Sequence, residues 1–99
     1  MILMISQPMK GKTEQEIREE REELVRYLED EGNTVIDTII SNDNPDDDNL
    51  AIHYLALAIN YMAKVDGVVF MKGWEKSRGC KIEHSVAVDY GKKVFYCNA

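Results

Sequence analysis

Apolar residues along this chain follow two alternating patterns, one typical of strands and one typical of helices. Continuous apolar or β-branched runs predict four strands, at residues 1–6, 33–40, 65–71 and 93–97. Apolar residues at helical spacing predict three intervening helices, between Thr13 and Gly32 and at residues 49–63 and 79–90. Strands and helices therefore alternate from one end of the chain to the other.

The first helix carries the clearest end signals. Thr13 suits the N-cap position, and Glu16 three residues later completes a capping box. Gly32 follows the last apolar position and suits the left-handed residue that ends many helices. Glu and Arg residues around the helix are spaced for i,i+4 ion pairs. The apolar face of the helix consists of Ile17, Leu24, Val25 and Leu28.

The second helix differs from the first because it is apolar nearly all round, with the sequence NLAIHYLALAINYMA at residues 49–63. A helix of this kind is buried on more than one side. We therefore expect a homo-oligomer whose subunits meet through this helix. The loop before it carries carboxylates at 46–48, which lack calcium-loop spacing and which we interpret as a solvated turn.

Strands that alternate with helices pair in parallel, through right-handed crossovers. Continuously apolar strands fit a parallel sheet that is covered on both faces. We therefore predict a single domain over residues 1–99, of α/β class. Its architecture is a flavodoxin- or Rossmann-like three-layer sandwich, with a four-stranded parallel sheet in the order 2-1-3-4.

The composition and net charge of the chain limit the classes of binding partner that we expect. The net charge of −6 argues against binding of DNA or RNA polymers, because phosphate backbones need clustered Lys and Arg. No apolar run is long enough to span a membrane, and MILMIS lacks the features of a signal peptide, so we expect a cytoplasmic protein. Cys80 and Cys97 show no zinc spacing, and the first loop has no GxGxxG or GxxxxGK[ST] motif. We predict no metal and no cofactor.

A ligand site is expected where the strand order reverses, beyond the carboxyl ends of strands one and three. The loops at 6–12 and 72–79 would line it, and the second, KGWEKSRG, is dense in polar groups. Glu83 lies about one turn into the following helix, where the helix dipole favours a carboxylate, and an ionised carboxylate can act as a nucleophile. Trp74 could stack on a base or sugar.

Each of these residues also has a purely structural interpretation. Glutamate is common in a first helical turn because it suits the dipole. Trp74 is as well explained by packing, and His84 points roughly 100° away from Glu83 on the helix, so it need not share the site. His53 lies in the apolar helix and suits a hydrogen-bonded or interface position.

Two stretches resemble a family of small bacterial and phage proteins that belongs with the nucleoside 2-deoxyribosyltransferase-like superfamily. The first carries S-Q-P-M-x-G-K after strand one, within ISQPMKGKTEQEIREERE. The second carries G-W-E-x-[SA]-x-G-C-x-x-E-H, within VDGVVFMKGWEKSRGCKIEHSVAVDYGKKVFY. The resemblance covers nearly the whole chain. In place of the aromatic residue found in the first loop of many transferases, this chain has Gln7-Pro8-Met9.

The resemblance implies a mechanism and a set of residues. In these transferases, a Glu in the helix after the third strand attacks the anomeric carbon of the sugar and displaces the base, and Glu83 is the matching position. Relatives hydrolyse nucleoside 5′-monophosphates. Glu75 and Asp66 are then the candidate acids for the departing base. The ligand-binding residues implied by the two motifs are Ser6, Gln7, Pro8, Met9, Gly11, Gly73, Trp74, Ser77, Arg78, Gly79 and Cys80.

Three functions stay open at this point. The first is an enzyme that cleaves or transfers the N-glycosidic bond of a nucleoside or nucleotide. The second is a non-catalytic sponge of phage anti-defence type, which sequesters an ADP-ribose-like or cyclic nucleotide signal. The third is an accessory protein with no small-molecule site.

Overall fold

The computed structural model describes residues 1–38 and 50–97, and its strands form one all-parallel sheet. The strands are β1 (Ile2–Ser6), β2 (Thr34–Val35), β3 (Gly67–Met71) and β4 (Lys93–Cys97), and the helices are α1 (Glu14–Asp30), α2 (Leu50–Met62) and α3 (Arg78–Asp89). A short 3₁₀ turn, Trp74–Lys76, leads from β3 into α3. The strand order is β2-β1-β3-β4, which confirms the predicted order and the α/β class.

The two central strands owe their position to unbroken apolar sequence. Every residue of β3 is buried, and so is every residue of β1 after Ile2. In the parallel register Leu3 lies opposite Gly67 and Ser6 lies opposite Phe70, so the two strands end side by side. This shared edge is where the loops of the predicted site begin.

The sheet separates two apolar cores. The face covered by α1 is built around Leu3, Ile5, Leu28, Val69 and Met71. The face covered by α2 and α3 is built around Met4, Met62, Val65, Val68, Phe70 and Ala87. Helices therefore lie on both faces of the sheet, as the continuously apolar strands predicted.

The end signals of α1 are confirmed. The Thr13 hydroxyl accepts from the Glu16 backbone N–H at 3.1 Å, and the Glu16 carboxylate accepts from the Thr13 N–H at 3.1 Å. Gly32 adopts a φ of +90° just beyond the helix, where residues with a Cβ are strained. Two of the predicted i,i+4 ion pairs form, Arg18–Glu14 and Arg26–Glu22.

The second strand is shorter than predicted. We expected a strand over 33–40; within the described residues of that range, 33–38, Thr34 and Val35 form the strand, and residues 36–38 continue without strand structure. As an edge strand, β2 pairs only with β1, so its apolar residues meet fewer partners than those of β3. Residues 39–49 lie outside the described part of the chain, and with them the acidic loop.

The second helix meets its prediction only in part. Met62 is buried in the core, but α2 also carries exposed apolar residues in the single chain, including Ile52 at 63% and Tyr54 at 40%. Among the described residues of the single chain, α2 is therefore not buried on more than one side. Across residues 1–38 and 50–97, no helix has the length and apolar content needed to cross a membrane.

Candidate functional site

The loops that follow β1 and β3 meet at the carboxyl edge of the sheet. Gly73 adopts a φ of +91°, and a Cβ built on it would lie 3.6 Å from Cγ of Pro8. Glycine is the residue that takes this left-handed conformation without strain. The tight turn at Gly73 therefore lets the second loop lie against the first, as the position of the predicted site required.

Glu83 reaches back over the start of α3. Its Oε2 lies 3.8 Å from the point where a Cβ on Gly79 would sit, so the carboxylate covers the first turn of the helix. Burial raises the pKa of Glu83 from its usual value of 4.5 to about 7, and the Ser6 hydroxyl and the Arg21 guanidinium partly oppose that rise. Near neutral pH the Glu83 carboxyl group is therefore protonated in some molecules and ionised in others.

Ser6 is the last residue of β1 and is 1% exposed. Although its hydroxyl is close enough to favour the charged form of Glu83, its Oγ makes no hydrogen bond of good geometry with any described residue. A buried hydroxyl without a partner is rare in folded proteins, and one role for such a group is to bind a ligand or a water molecule.

Sequence reasoning did not single out Arg21, which lies among the Glu and Arg residues of α1. Arg21 is only 5% exposed, and burial lowers its pKa to about 10. Its Nε donates to Gln7 Oε1 at 2.8 Å and its Nη1 donates to Thr38 Oγ1 at 3.5 Å. Its Nη2 has no partner among the described residues. A signal was present, since Arg21 lies four residues after Ile17 and seven before Leu28, on the apolar face.

Gln7 holds Arg21 in place instead of presenting a free amide. The Gln7 Nε2 donates to the Ile17 carbonyl at 3.0 Å, and its Oε1 accepts from Arg21. The side chain is 4% exposed. Ligand binding by Gln7 stays a prediction; the contacts that the structure gives its side chain are those that orient Arg21.

The start of α3 is capped by Ser77, whose Oγ accepts from the Cys80 N–H at 3.4 Å. Cys80 is 2% exposed, and burial raises the pKa of its thiol. A protonated, buried thiol is a poor nucleophile, and the role of Cys80 in ligand binding stays a prediction. Arg78 is the first residue of the helix, and its side chain is exposed.

Trp74 is the centre of an aromatic cluster. It stacks on His84 with ring centroids 4.3 Å apart, and Tyr96 lies 5.6 Å from it at a small interplanar angle. His84 Nε2 and the Tyr96 hydroxyl are 2.6 Å apart. Phe70 contacts all three rings. Packing against the other rings therefore accounts for the contacts that Trp74 makes. His84 belongs to the same cluster.

The two candidate acids lie in different places. Asp66 precedes β3, at the amino edge of the sheet, and its Oδ2 accepts from the Ile2 N–H at 2.7 Å. The strand β3 separates it from the loop at 72–77, so the structure does not bring it to Glu83. Glu75 is exposed in the 3₁₀ turn at the carboxyl edge. Of the two, only Glu75 borders the site.

The remaining predicted ligand-binding residues are at the outside of the first loop. Met9 is 38% exposed, and Gly11, with a φ of +78°, faces open space. No group of three His, Cys, Asp or Glu side chains arranged to hold a metal ion occurs among the residues that the structure describes.

Neither of two clefts beside α1 is lined by Glu83. One, of about 690 Å³, lies between α1 and the residues from Val35 to Asp37, and Arg21 is on its wall. The other, of about 630 Å³, lies between α1 and β4. The convergence of Glu83 with two buried polar groups, and not cavity size, is what marks the site.

The family model described as Domain of unknown function (DUF4406) matches residues 1–96. No curated protein matches the chain, and no solved structure does. The match covers nearly all of the chain, but it carries no activity. The likeness to nucleoside 2-deoxyribosyltransferases stays a prediction that the site must support.

Proposed function

This chain belongs to the DUF4406 family, and we propose that it binds a nucleoside or nucleotide at Glu83 and cleaves or transfers the N-glycosidic bond. One observation carries the proposal. A carboxylate with a pKa of about 7 lies at the carboxyl edge of a parallel sheet, beside a buried hydroxyl and a buried guanidinium that both lack a full set of partners among the described residues. Perturbed carboxylates in such positions are typical of functional sites.

The proposed step is a displacement at the anomeric carbon. An oxygen of ionised Glu83 forms a bond to that carbon, and the carbon–nitrogen bond breaks with its electron pair going to the base. The base takes up a proton, for which Glu75 or solvent is the source. Water or a second base then attacks the glycosyl ester and releases Glu83 as a carboxylate.

The surroundings of Glu83 favour this role. The transition state carries positive charge on the sugar, and a carboxylate in a site partly shielded from water stabilises that charge more than it would in solution. Ser6 and Arg21 oppose the rise in pKa of Glu83, so the nucleophile is available at neutral pH. Removal of either group would leave Glu83 protonated to a higher pH.

A second candidate function is sequestration of a nucleotide without turnover. Glycosidic cleavage commonly uses two carboxylates at the reacting bond. Among the described residues, Asp66 lies at the other edge of the sheet and Glu75 is exposed, so Glu83 has no buried carboxylate partner from the predicted pair. A site with one buried carboxylate fits binding of the ribosyl part of a signal nucleotide as well as it fits chemistry.

The test is incubation with nucleosides, nucleoside monophosphates and linear or cyclic ADP-ribose compounds, followed by chromatography before and after heat denaturation. Glu83→Gln is run beside wild type, with Glu22→Gln on the exposed face of α1 as the matched control. Free base from wild type and from Glu22→Gln, but not from Glu83→Gln, is the result expected of a glycosidase. A compound that leaves solution and returns unchanged on denaturation identifies a sponge instead. If no compound in the panel gives either result, both functions are contradicted.

A further inference from the structure

We propose that Arg21 and Ser6 form a subsite for the sugar hydroxyl beside the anomeric carbon, so that the site selects ribosyl over 2-deoxyribosyl compounds. The inference rests on the proposed function, because it assumes that a sugar lies against Glu83. It goes beyond that function by naming the class of sugar. It also departs from the resemblance, which points to 2-deoxyribosyl substrates.

The chemistry of these two buried groups limits what they can bind. Arg21 is 5% exposed and its Nη2 carries only donors, so a ligand must offer it an acceptor. Ser6 is 1% exposed, and its Oγ can either donate or accept. Burying such groups without partners is unfavourable, so a ligand oxygen that pairs with both gains binding energy from each contact.

Glu83 supplies the third requirement. Arg21 and Glu83 influence each other's pKa, yet they form no ion pair within 4.0 Å in the described part of the chain. They are therefore not directly paired, and a small ligand group that bridges them would interact with both. The group must accept from Arg21 and, when Glu83 is ionised, donate to its carboxylate.

A hydroxyl meets all three requirements, because it accepts and donates through one oxygen. A phosphate oxygen would suit Arg21 but would be repelled by ionised Glu83. If Glu83 faces the anomeric carbon, the hydroxyl nearest to it is the one on the adjacent sugar carbon. Hydrogen bonds to that hydroxyl strengthen in the transition state of glycosidic cleavage, so the same contact serves binding and reaction.

Sites built around a substrate hydroxyl reject the analogue that lacks it, because their own polar groups are then left unpaired. Such sites discriminate by up to about 10⁴–10⁵-fold, and hydrophobic pockets by only about 10–200-fold. We expect wild type to favour a ribonucleoside monophosphate over its 2′-deoxy counterpart by about 100-fold or more in affinity or in kcat/KM.

The experiment compares matched pairs of ribo and 2′-deoxyribo nucleoside 5′-monophosphates with wild type, Ser6→Ala and Arg21→Lys. Arg26→Gln, an exposed arginine on the same helix, is the control. Binding is measured by calorimetry and turnover by release of base, after thermal unfolding has shown that each variant is folded. Ser6→Ala removes one oxygen and keeps the test open if Arg21→Lys does not fold.

The expected result is a large ribo-to-deoxyribo ratio for wild type and Arg26→Gln that falls toward one in Ser6→Ala and Arg21→Lys. A wild-type ratio near one, with either sugar bound or cleaved in a Glu83-dependent way, overturns the subsite and leaves the proposed function standing. A large ratio that survives both substitutions also overturns it. Absence of binding and turnover with every compound in the panel overturns the proposed function and the subsite together.

Discussion

Burial and opposite charge act against each other on Glu83. Desolvation raises the pKa of its carboxyl group, while the Ser6 hydroxyl and the Arg21 charge lower it, and burial wins with a value of about 7. The two effects act on Arg21 with opposite sign, because burial lowers the pKa of its guanidinium group and the carboxylates of Asp37 and Glu83 raise it. Each residue is therefore charged at an electrostatic cost, as is common at functional sites.

The burial of Glu83 predicts a pH-dependent loss of stability. Since its pKa is about 7 in the folded chain and 4.5 is its usual value, the folded state binds more protons between these two values, and the free energy of unfolding falls as the pH rises through that range. The gap corresponds to about 3 kcal/mol. Glu83→Gln mimics the neutral carboxyl and does not titrate, so its advantage over wild type should grow from within about 1 kcal/mol at pH 5 to about 3 kcal/mol at pH 8.

Urea unfolding of both proteins at pH 5 and pH 8 measures this difference directly. Glu22→Gln, on the exposed face of α1, should show a difference from wild type that does not change with pH. An advantage of Glu83→Gln that stays constant between the two pH values would show that Glu83 is not ionised against a burial penalty.

Among the elements, the start of α3 combines the demands of a helix with those of a site. Ser77 caps the helix, and the next turn places Gly79 under the Glu83 carboxylate. Glycine weakens a helix relative to alanine. A Cβ at residue 79 would meet Oε2 of Glu83 at 3.8 Å, so a side chain there would project toward the carboxylate that we propose faces the ligand.

Gly79→Ala should therefore separate stability from function. The substitution removes the unfavourable helix propensity of glycine, worth about 0.5–1 kcal/mol, and its methyl group would meet Oε2 of Glu83 at an ordinary contact distance of 3.8 Å. We expect the midpoint of thermal unfolding to rise and ligand affinity to fall at least several-fold. Lys81→Ala, exposed on the same helix, is the control and should leave affinity unchanged.

The opposite result would be informative about the site. If Gly79→Ala raises stability and leaves ligand affinity and turnover at the level of Lys81→Ala, the ligand does not lie over the first turn of α3. The site would then have to be placed on the Arg21 side of the carboxylate.

The whole molecule positions the site through its topology. The chain leaves β1 toward α1 on one face of the sheet and leaves β3 toward α3 on the other, so the loops after these neighbouring strands meet at the carboxyl edge, where ligands bind in open parallel sheets. Tight turns such as the one at Gly73 control how closely the two loops approach. The outer side of α2, by contrast, carries apolar residues that are exposed in the single chain.

We predict that these residues hold two copies of the chain together. Ala56 lies four residues after Ile52 on α2 and both are exposed, so they share one side of the helix. Ile52→Lys places a charge on that side and should convert an oligomer into a monomer, because a charge buried without a partner disfavours association. Light scattering after size-exclusion chromatography measures the change.

The control for this prediction is a matched substitution on another helix. Val88 is an exposed apolar residue of α3, and Val88→Lys adds the same charge away from α2. It should leave the oligomer intact. A wild-type chain that runs as a monomer, or an oligomer that survives Ile52→Lys, would contradict the prediction.

The sequence by itself determined the elements that obey local rules. The capping box at Thr13, the left-handed Gly32 and the unbroken apolar runs of β1 and β3 were all predictable, because each depends on neighbours within a few residues. Strand order followed from the alternation of strands and helices, and the position of Glu83 followed from strand order. Asp66 was predicted as a candidate acid, but a residue before a parallel strand lies at the edge away from the site.

Only the tertiary structure decided which polar residues are buried. Arg21 belongs to a helix rich in charges, and although its spacing from Ile17 and Leu28 places it on the apolar face, spacing alone does not show that a charged side chain there is buried. Its burial depends on how α1 packs across the sheet and on Gln7, fourteen residues earlier, which accepts its Nε–H. The shortness of β2 and the stacking of His84 on Trp74 are likewise set by contacts between distant segments. Local patterns carry little information about such contacts, because burial is a property of the assembled layers.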